Sequence, residues 1–229
     1  MIHLKKSEWY ILVGLLLLSL IPCVGGIFRL VELGSGESGF MPENPRIQSA
    51  PTPVIFHLLS VFPYCILGAF QFLPSFRKKH LNWHRLVGRL LVGAGIVSAL
   101  SGLWMTHYYS FPDDLQGDLL YVVRLLVGIT MIVFIMLGLS SVLKKRIMYH
   151  QAWMIRAYAL GQGAGTQVLI TIPWLLTVGE PMGFTRDILM SLAWGINIIV
   201  GEMAIRKYAG FTKLETPINS SNSNSFTMN

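Results

Sequence analysis

Apolar residues in this chain fall in long unbroken stretches, without the two-residue alternation of a half-buried strand or the one-sided stripe of a surface helix. Such stretches run at about residues 9–28, 53–73, 87–105, 119–142, 152–178 and 188–205. Each is close to the ~20 residues that an α-helix needs to cross a hydrocarbon core of ~30 Å. Lipid offers no partner for a backbone N–H or C=O, so a crossing segment must satisfy these groups within its own helix. The pattern therefore predicts an all-α integral membrane bundle of about six transmembrane helices, occupying residues 1–212. Residues 213–229 are rich in Ser and Asn. They carry too little apolar surface to offset the entropy of ordering, and a disordered tail is expected there.

The polar punctuation assigns sides. Lys5 and Lys6 precede the first stretch; Arg77, Lys78, Lys79, His80, Arg85 and Arg89 surround the turn after the second; Lys144, Lys145 and Arg146 follow the fourth; Arg206 and Lys207 close the sixth. Asp113, Asp114, Asp118 and Glu180 fall in the alternate connections. The positive-inside rule then places both termini and the tail in the cytoplasm, and the chain in the inner (cell) membrane. The first stretch follows basic residues as a secretory signal does. It is longer than a signal's apolar core and runs into Arg29-Leu30-Val31 without a small-x-small cleavage site, so a retained helix is expected.

Composition sharpens this picture. Of the 229 residues 53% are hydrophobic and 13% charged, against roughly a quarter charged in soluble domains. The net charge of +7 lies in clusters beside the apolar stretches, which makes the lipid bilayer the expected partner and not nucleic acid. Cys23 and Cys65 sit inside apolar stretches, where a thiol behaves as a small hydrophobe. Phosphate-binding glycine loops, nucleophile elbows and zinc-protease helices are all missing from the sequence, which argues against nucleotide or hydrolase chemistry.

Ionisable groups at membrane depth are costly unless paired or solvated, so they mark positions that chemistry or packing requires. His57, Gln71, His84, His107, Arg124, His150, Arg156, Gln167 and Glu202 are such positions. On the alternating topology His57, His107 and Arg124 lie toward the outer face. Gln71, His84, His150, Arg156 and Glu202 lie toward the cytoplasmic face. His84 and His107 are 23 residues apart on one helix, roughly 35 Å, and cannot share a ligand. His84 could instead meet His150 at one depth, and His57 could meet His107 at the other. Histidines facing each other from different helices are how bundles hold metals and haem. The competing reading is that each histidine is solvated at the interface. Arg124 can snorkel outward along its own stem, and Glu202 with Arg206 has the spacing of a helical ion pair. Ala157, Gly161 and Gly165 recur every four residues, with a similar run at Gly95, Ser98, Ala99 and Gly102. A small-residue stripe of this kind serves close helix contact, or leaves room for a flat macrocycle beside His150.

Three motifs carry a resemblance: Gln71-Phe72-Leu73-Pro74 with Arg77, His84-Arg85-x-x-Gly88-Arg89, and His150-x-x-Trp153-Met154-Ile155-Arg156-x-Tyr158-Ala159-Leu160. Together they resemble the bacterial predicted membrane proteins of domain-of-unknown-function family 2306, over about residues 56–174. The resemblance implies a multi-pass fold with His57, His84 and His150 as the family's histidines, and brings no established activity. His107 lies outside that pattern, and Gln167 stands where similar proteins often carry an arginine. The mechanistic reading that follows is a b-type haem electron-transfer protein, with His84 and His150 as axial ligands to the haem iron, Arg89 or Arg156 neutralising propionates, and a quinone or other redox partner. The alternatives are a small permease or proton-linked carrier with His57, Gln71, Arg156 and Gln167 along a polar path, and a non-catalytic membrane component.

Overall fold

A computed structural model describes residues 4–36 and 44–208. All regular structure among them is helical: α1 (Lys6–Ser35), α2 (Pro45–Ser49), α3 (Thr52–Gln71), α4 (Pro74–Lys79), α5 (Leu81–Tyr108), α6 (Asp118–Leu143), α7 (Ile147–Gly161), α8 (Gly163–Thr177) and α9 (Gly183–Tyr208). Helices α1, α3, α5, α6 and α9 are each long and apolar enough to cross a membrane. Their outward faces carry large apolar side chains such as Leu86 and Leu126. Such a surface is a liability in water and the ordinary condition in lipid.

The fifth expected stretch differs from the sequence reading. It forms two helices of 15 residues, α7 and α8, interrupted at Gln162. The run Gly161-Gln162-Gly163-Ala164-Gly165 lowers the cost of leaving helical geometry, the usual origin of a kink. The Gln162 side chain is held at the break by both its polar atoms. The buried Gln162 donates from Nε2 to the Tyr158 hydroxyl at 2.7 Å and accepts from Ser19 Oγ of α1 at 3.1 Å. The short helices α2 and α4 are further elements that apolar stretches do not reveal. The tail expected over 213–229 lies outside the described residues.

Helices α3, α5, α6 and α7 form a ring in which neighbours pack in that order and α7 closes against α3; α1 covers α3 and α8, and α9 covers α6, α7 and α8. Close approach rests on reciprocal glycines. The ring of Tyr64 on α3 lies where a side chain at Gly95 or Gly161 would be, and the ring of Tyr158 on α7 lies where a side chain at Gly68 would be. The two ring centroids are 5.8 Å apart, and the Tyr158 hydroxyl donates to the Cys65 carbonyl at 2.7 Å. In lipid, where burial of apolar surface does not drive association, such van der Waals and hydrogen-bond contacts hold helices together. This settles the two readings of the small-residue stripe. Ala157 is fully buried, Gly161 is filled by Tyr64, and Gly165 meets the Leu18 backbone of α1, so the stripe is a packing surface and leaves no slot for a macrocycle.

The ring has two polar ends. One holds the start of α1, all of α4, and the starts of α5 and α7, with Lys5, Lys6, Arg77, Lys78, Lys79, Lys144, Lys145 and Arg146; it is termed the basic end below. The opposite end holds α2, the α5–α6 connection and the start of α9.

Candidate cofactor site at the basic end

His84 and His150 are each the fourth residue of their helix, α5 and α7. Both helices start at the basic end, so one rise per residue puts the two rings at one depth. Helices α5 and α7 stand diagonally across the four-helix ring, with α3 and α6 between them. His84 is within electrostatic reach of Arg77, His150 and Arg85.

The two imidazoles differ in their hydrogen bonds. His150 Nδ1 lies 2.9 Å from the Gly138 carbonyl of α6. A carbonyl can only accept, so that nitrogen carries the proton, and in the neutral ring Nε2 keeps its lone pair. This is the arrangement by which a second-shell carbonyl orients a ligating histidine. His84 Nδ1 is buried without a hydrogen-bond partner, and so is Gln71 Nε2. Gln71, at the end of α3, brings Oε1 to 3.9 Å from where a side chain at Gly88 would begin, and Gly88 lies one turn beyond His84. The Nε2 of His80 is also buried and unpartnered, its ring 5.0 Å from that of Phe76. Buried polar groups in folded proteins are nearly always paired, and these three at one end of the bundle have no protein partner. Among the described residues no three of His, Cys, Asp and Glu converge as a metal site. Two imidazoles alone are a poor cage for a bare ion. They are the complete protein share for an iron already held by a macrocycle.

Of the arginines expected beside this site, Arg89 is exposed on α5, as Arg85 is, and Arg156 is engaged with another helix. Arg156 forms a two-pronged pair with Glu202 of α9, Nε to Oε1 at 2.5 Å and Nη2 to Oε2 at 3.0 Å, and lies 4.7 Å over the Trp153 ring. Glu202, which spacing assigns to Arg206, thus bonds across two helices to Arg156. Near His84 the cations are Arg77 and Arg85; their place in the basic run after α3 was the signal available in the sequence.

The remaining polar positions take separate local partners. His57 Nδ1 contacts the Ser98 carbonyl at 2.9 Å and Ser101 Oγ at 3.1 Å, tying α3 to α5. His107 Nδ1 contacts the Tyr121 hydroxyl at 2.9 Å. These two histidines therefore do not share a partner. Gln167 Nε2 donates to the Met190 carbonyl at 3.3 Å. Arg124 does not extend freely outward: it donates to Gln116 Oε1 and lies 5.1 Å from the centre of the Phe111 ring.

Two buried carboxylates escaped the sequence reading because each closes a helix distant in the chain. Glu8 accepts from the N–H of Lys5 at 3.0 Å and of Ser75 at 2.7 Å, and so caps α4 as well as its own helix. Asp187 of α9 accepts from the N–H of Gly117 and of Leu120, each at 3.1 Å, and so caps α6. Asp187 lies just outside the apolar stretch beginning near 188, where an acidic residue reads as loop.

The family model for DUF2306, described as a predicted membrane protein, matches residues 54–205. This chain belongs to that family, and the match runs on through α9, beyond the 56–174 that the motifs alone covered. No curated protein and no solved structure matches the chain.

Proposed function

We propose that this membrane protein of the DUF2306 family holds a b-type haem at its basic end, with His84 and His150 as axial ligands, and passes single electrons to a partner such as a quinone. One observation carries the reading: two imidazoles from diagonal helices, at one depth, each keep a ring nitrogen without a protein partner. The Gly138 carbonyl holds the His150 ring in the tautomer that a ligand requires. Arg77 and Arg85, which act on His84, are cations suited to propionates, and the buried amide nitrogen of Gln71 is a further unpartnered donor at the same end. A bound haem would supply reversible one-electron chemistry. With the basic clusters on the cytoplasmic side, the site faces the cytoplasm of an inner-membrane protein whose termini are both cytoplasmic.

A carrier needs polar residues along one path. Here His57 bonds α5, whereas Arg156 and Gln167 both bond α9 through groups 12 positions apart, Glu202 and the Met190 carbonyl; that is roughly 18 Å along the helix, so the three do not converge, which favours the cofactor reading. The test is a reduced-minus-oxidised absorption spectrum of the protein purified in detergent from haem-replete cells, beside His84→Ala and His150→Ala. A sharp haem signal lost in both variants is expected. A folded, colourless wild type would sink the proposal in favour of a non-catalytic component.

A further inference from the structure

The opposite end of the bundle holds a second polar constellation, built from cations. Arg46 of α2 lies 4.4 Å from the centre of the Phe111 ring, and Arg124 of α6 lies 5.1 Å from the centre of the same ring. Arg186, in the first turn of α9, donates from Nε to the Leu115 carbonyl at 3.3 Å. Arg124 is within electrostatic reach of Arg186, Asp187 and Arg46. Three guanidiniums from three helices therefore surround one aromatic ring and its loop.

The acidic residues of the same connection, Asp113, Asp114 and Asp118, form no ion pair with these arginines. Asp187, 1% exposed, is the carboxylate within reach of Arg124, and both its oxygens accept from the backbone at the start of α6. Arg46 bonds Asn44 Oδ1 through Nε at 3.1 Å, and its Nη1 is buried with no partner. Neither of the ion pairs among the described residues involves Arg46, Arg124 or Arg186. Around Arg124 two further guanidiniums and one carboxylate act, and the arrangement is eased when an anion joins the arginines directly. Guanidinium forks match the oxygens of a phosphate better than any other common anion.

We infer that Arg46, Arg124 and Arg186 form a phosphate-binding site at this end, which takes either the phosphodiester of an anionic lipid or a soluble phosphate. Arg124 is the seventh residue of α6, about 10 Å in from the helix start. That depth lies near the boundary between hydrocarbon and headgroups, where both sources are available.

The experiment follows thermal unfolding of the full-length protein in neutral detergent, titrated with inorganic phosphate against chloride at equal ionic strength. A parallel series uses nanodiscs of phosphatidylcholine with and without phosphatidylglycerol. Wild type is compared with Arg46→Gln, Arg124→Gln and Arg186→Gln. Stabilisation by phosphate, weakened about tenfold or more in apparent affinity by each variant, supports a soluble ligand. Stabilisation by phosphatidylglycerol alone, lost in the same variants, supports a lipid. Should Arg124→Gln or Arg186→Gln fail to fold, Arg46→Gln decides, because Arg46 sits on a peripheral helix of five residues. A wild type indifferent to both anions, or an Arg46→Gln protein that responds as wild type does, overturns the site.

Discussion

The two ends of the bundle solve one structural problem alike and then diverge. At each end a buried carboxylate from a remote segment caps a helix: Glu8 for α4 at the basic end, Asp187 for α6 at the opposite end. Both place negative charge where the helix dipole favours it and satisfy N–H groups that have no partner within the helix. Beyond the caps, the basic end leaves neutral groups unpaired, namely His84 Nδ1, Gln71 Nε2 and His80 Nε2, whereas the opposite end gathers arginines with one unpaired nitrogen on Arg46. A neutral imidazole nitrogen can offer a lone pair to a metal, an amide N–H can only donate, and guanidiniums, which cannot coordinate, suit an anion. The difference teaches that the two ends leave different chemistry unpaired, even though each shows as a cluster of polar residues in an apolar chain.

Mutations can break this contrast, beginning with the caps. Asp187→Ala strands two backbone N–H groups at a buried helix start and should destabilise the protein by about 2–4 kcal/mol in unfolding measurements in detergent. A loss below about 1 kcal/mol would mean that water or another group takes over the cap. Glu8→Ala should cost less, about 1–2 kcal/mol by the same measurement, because α4 has six residues and sits at the rim. Equal losses in the two variants would remove the distinction between a cap placed wholly on the start of a spanning helix and one shared between α1 and the short α4.

Tyr109→Phe tests the opposite end more gently. Its hydroxyl donates to the Ala50 carbonyl at 2.6 Å and fastens α2 beside α5, so its removal should cost about 1 kcal/mol. It should also weaken phosphate stabilisation by loosening Arg46. Gln71→Leu should have the smallest effect on folding, within about 0.5 kcal/mol, because its amide nitrogen has no protein partner to lose. In the same variant the haem signal should shift or fall. A large loss of stability with an unchanged spectrum would show that Gln71 serves packing, and the basic end would lose its distinction from an ordinary polar rim.

Much of the fold was legible because lipid imposes a simple rule. A segment that crosses hydrocarbon must be apolar, helical and about twenty residues long, and α1, α3, α5, α6 and α9 follow the apolar stretches closely. The interruption at Gln162 was not read, because one Gln among glycines looks like a weak spot in a helix until Ser19 and Tyr158 are seen to hold it. The depth of His84 and His150 was legible, since each begins a helix on the same side. The tautomer of His150 was not, because it depends on a Gly138 carbonyl 12 positions away. Arg156 was expected near the cofactor and instead bonds Glu202, 46 positions away, a pairing that no local spacing encodes.

The amino-acid sequence by itself determined the solvent, the helical class, the apolar stretches and the two layers of polar residues, because hydropathy and charge act on each segment independently of its neighbours. Tertiary structure alone decided which polar groups are used up and which remain available. Glu8 and Asp187 became caps, Arg156 became half of an ion pair, the glycine stripe became a seat for tyrosines, and nitrogens on His84, Gln71 and Arg46 were left without partners. The reason is physical: a hydrogen bond is made over about 3 Å, and only the folded bundle brings residues far apart in the chain within that distance.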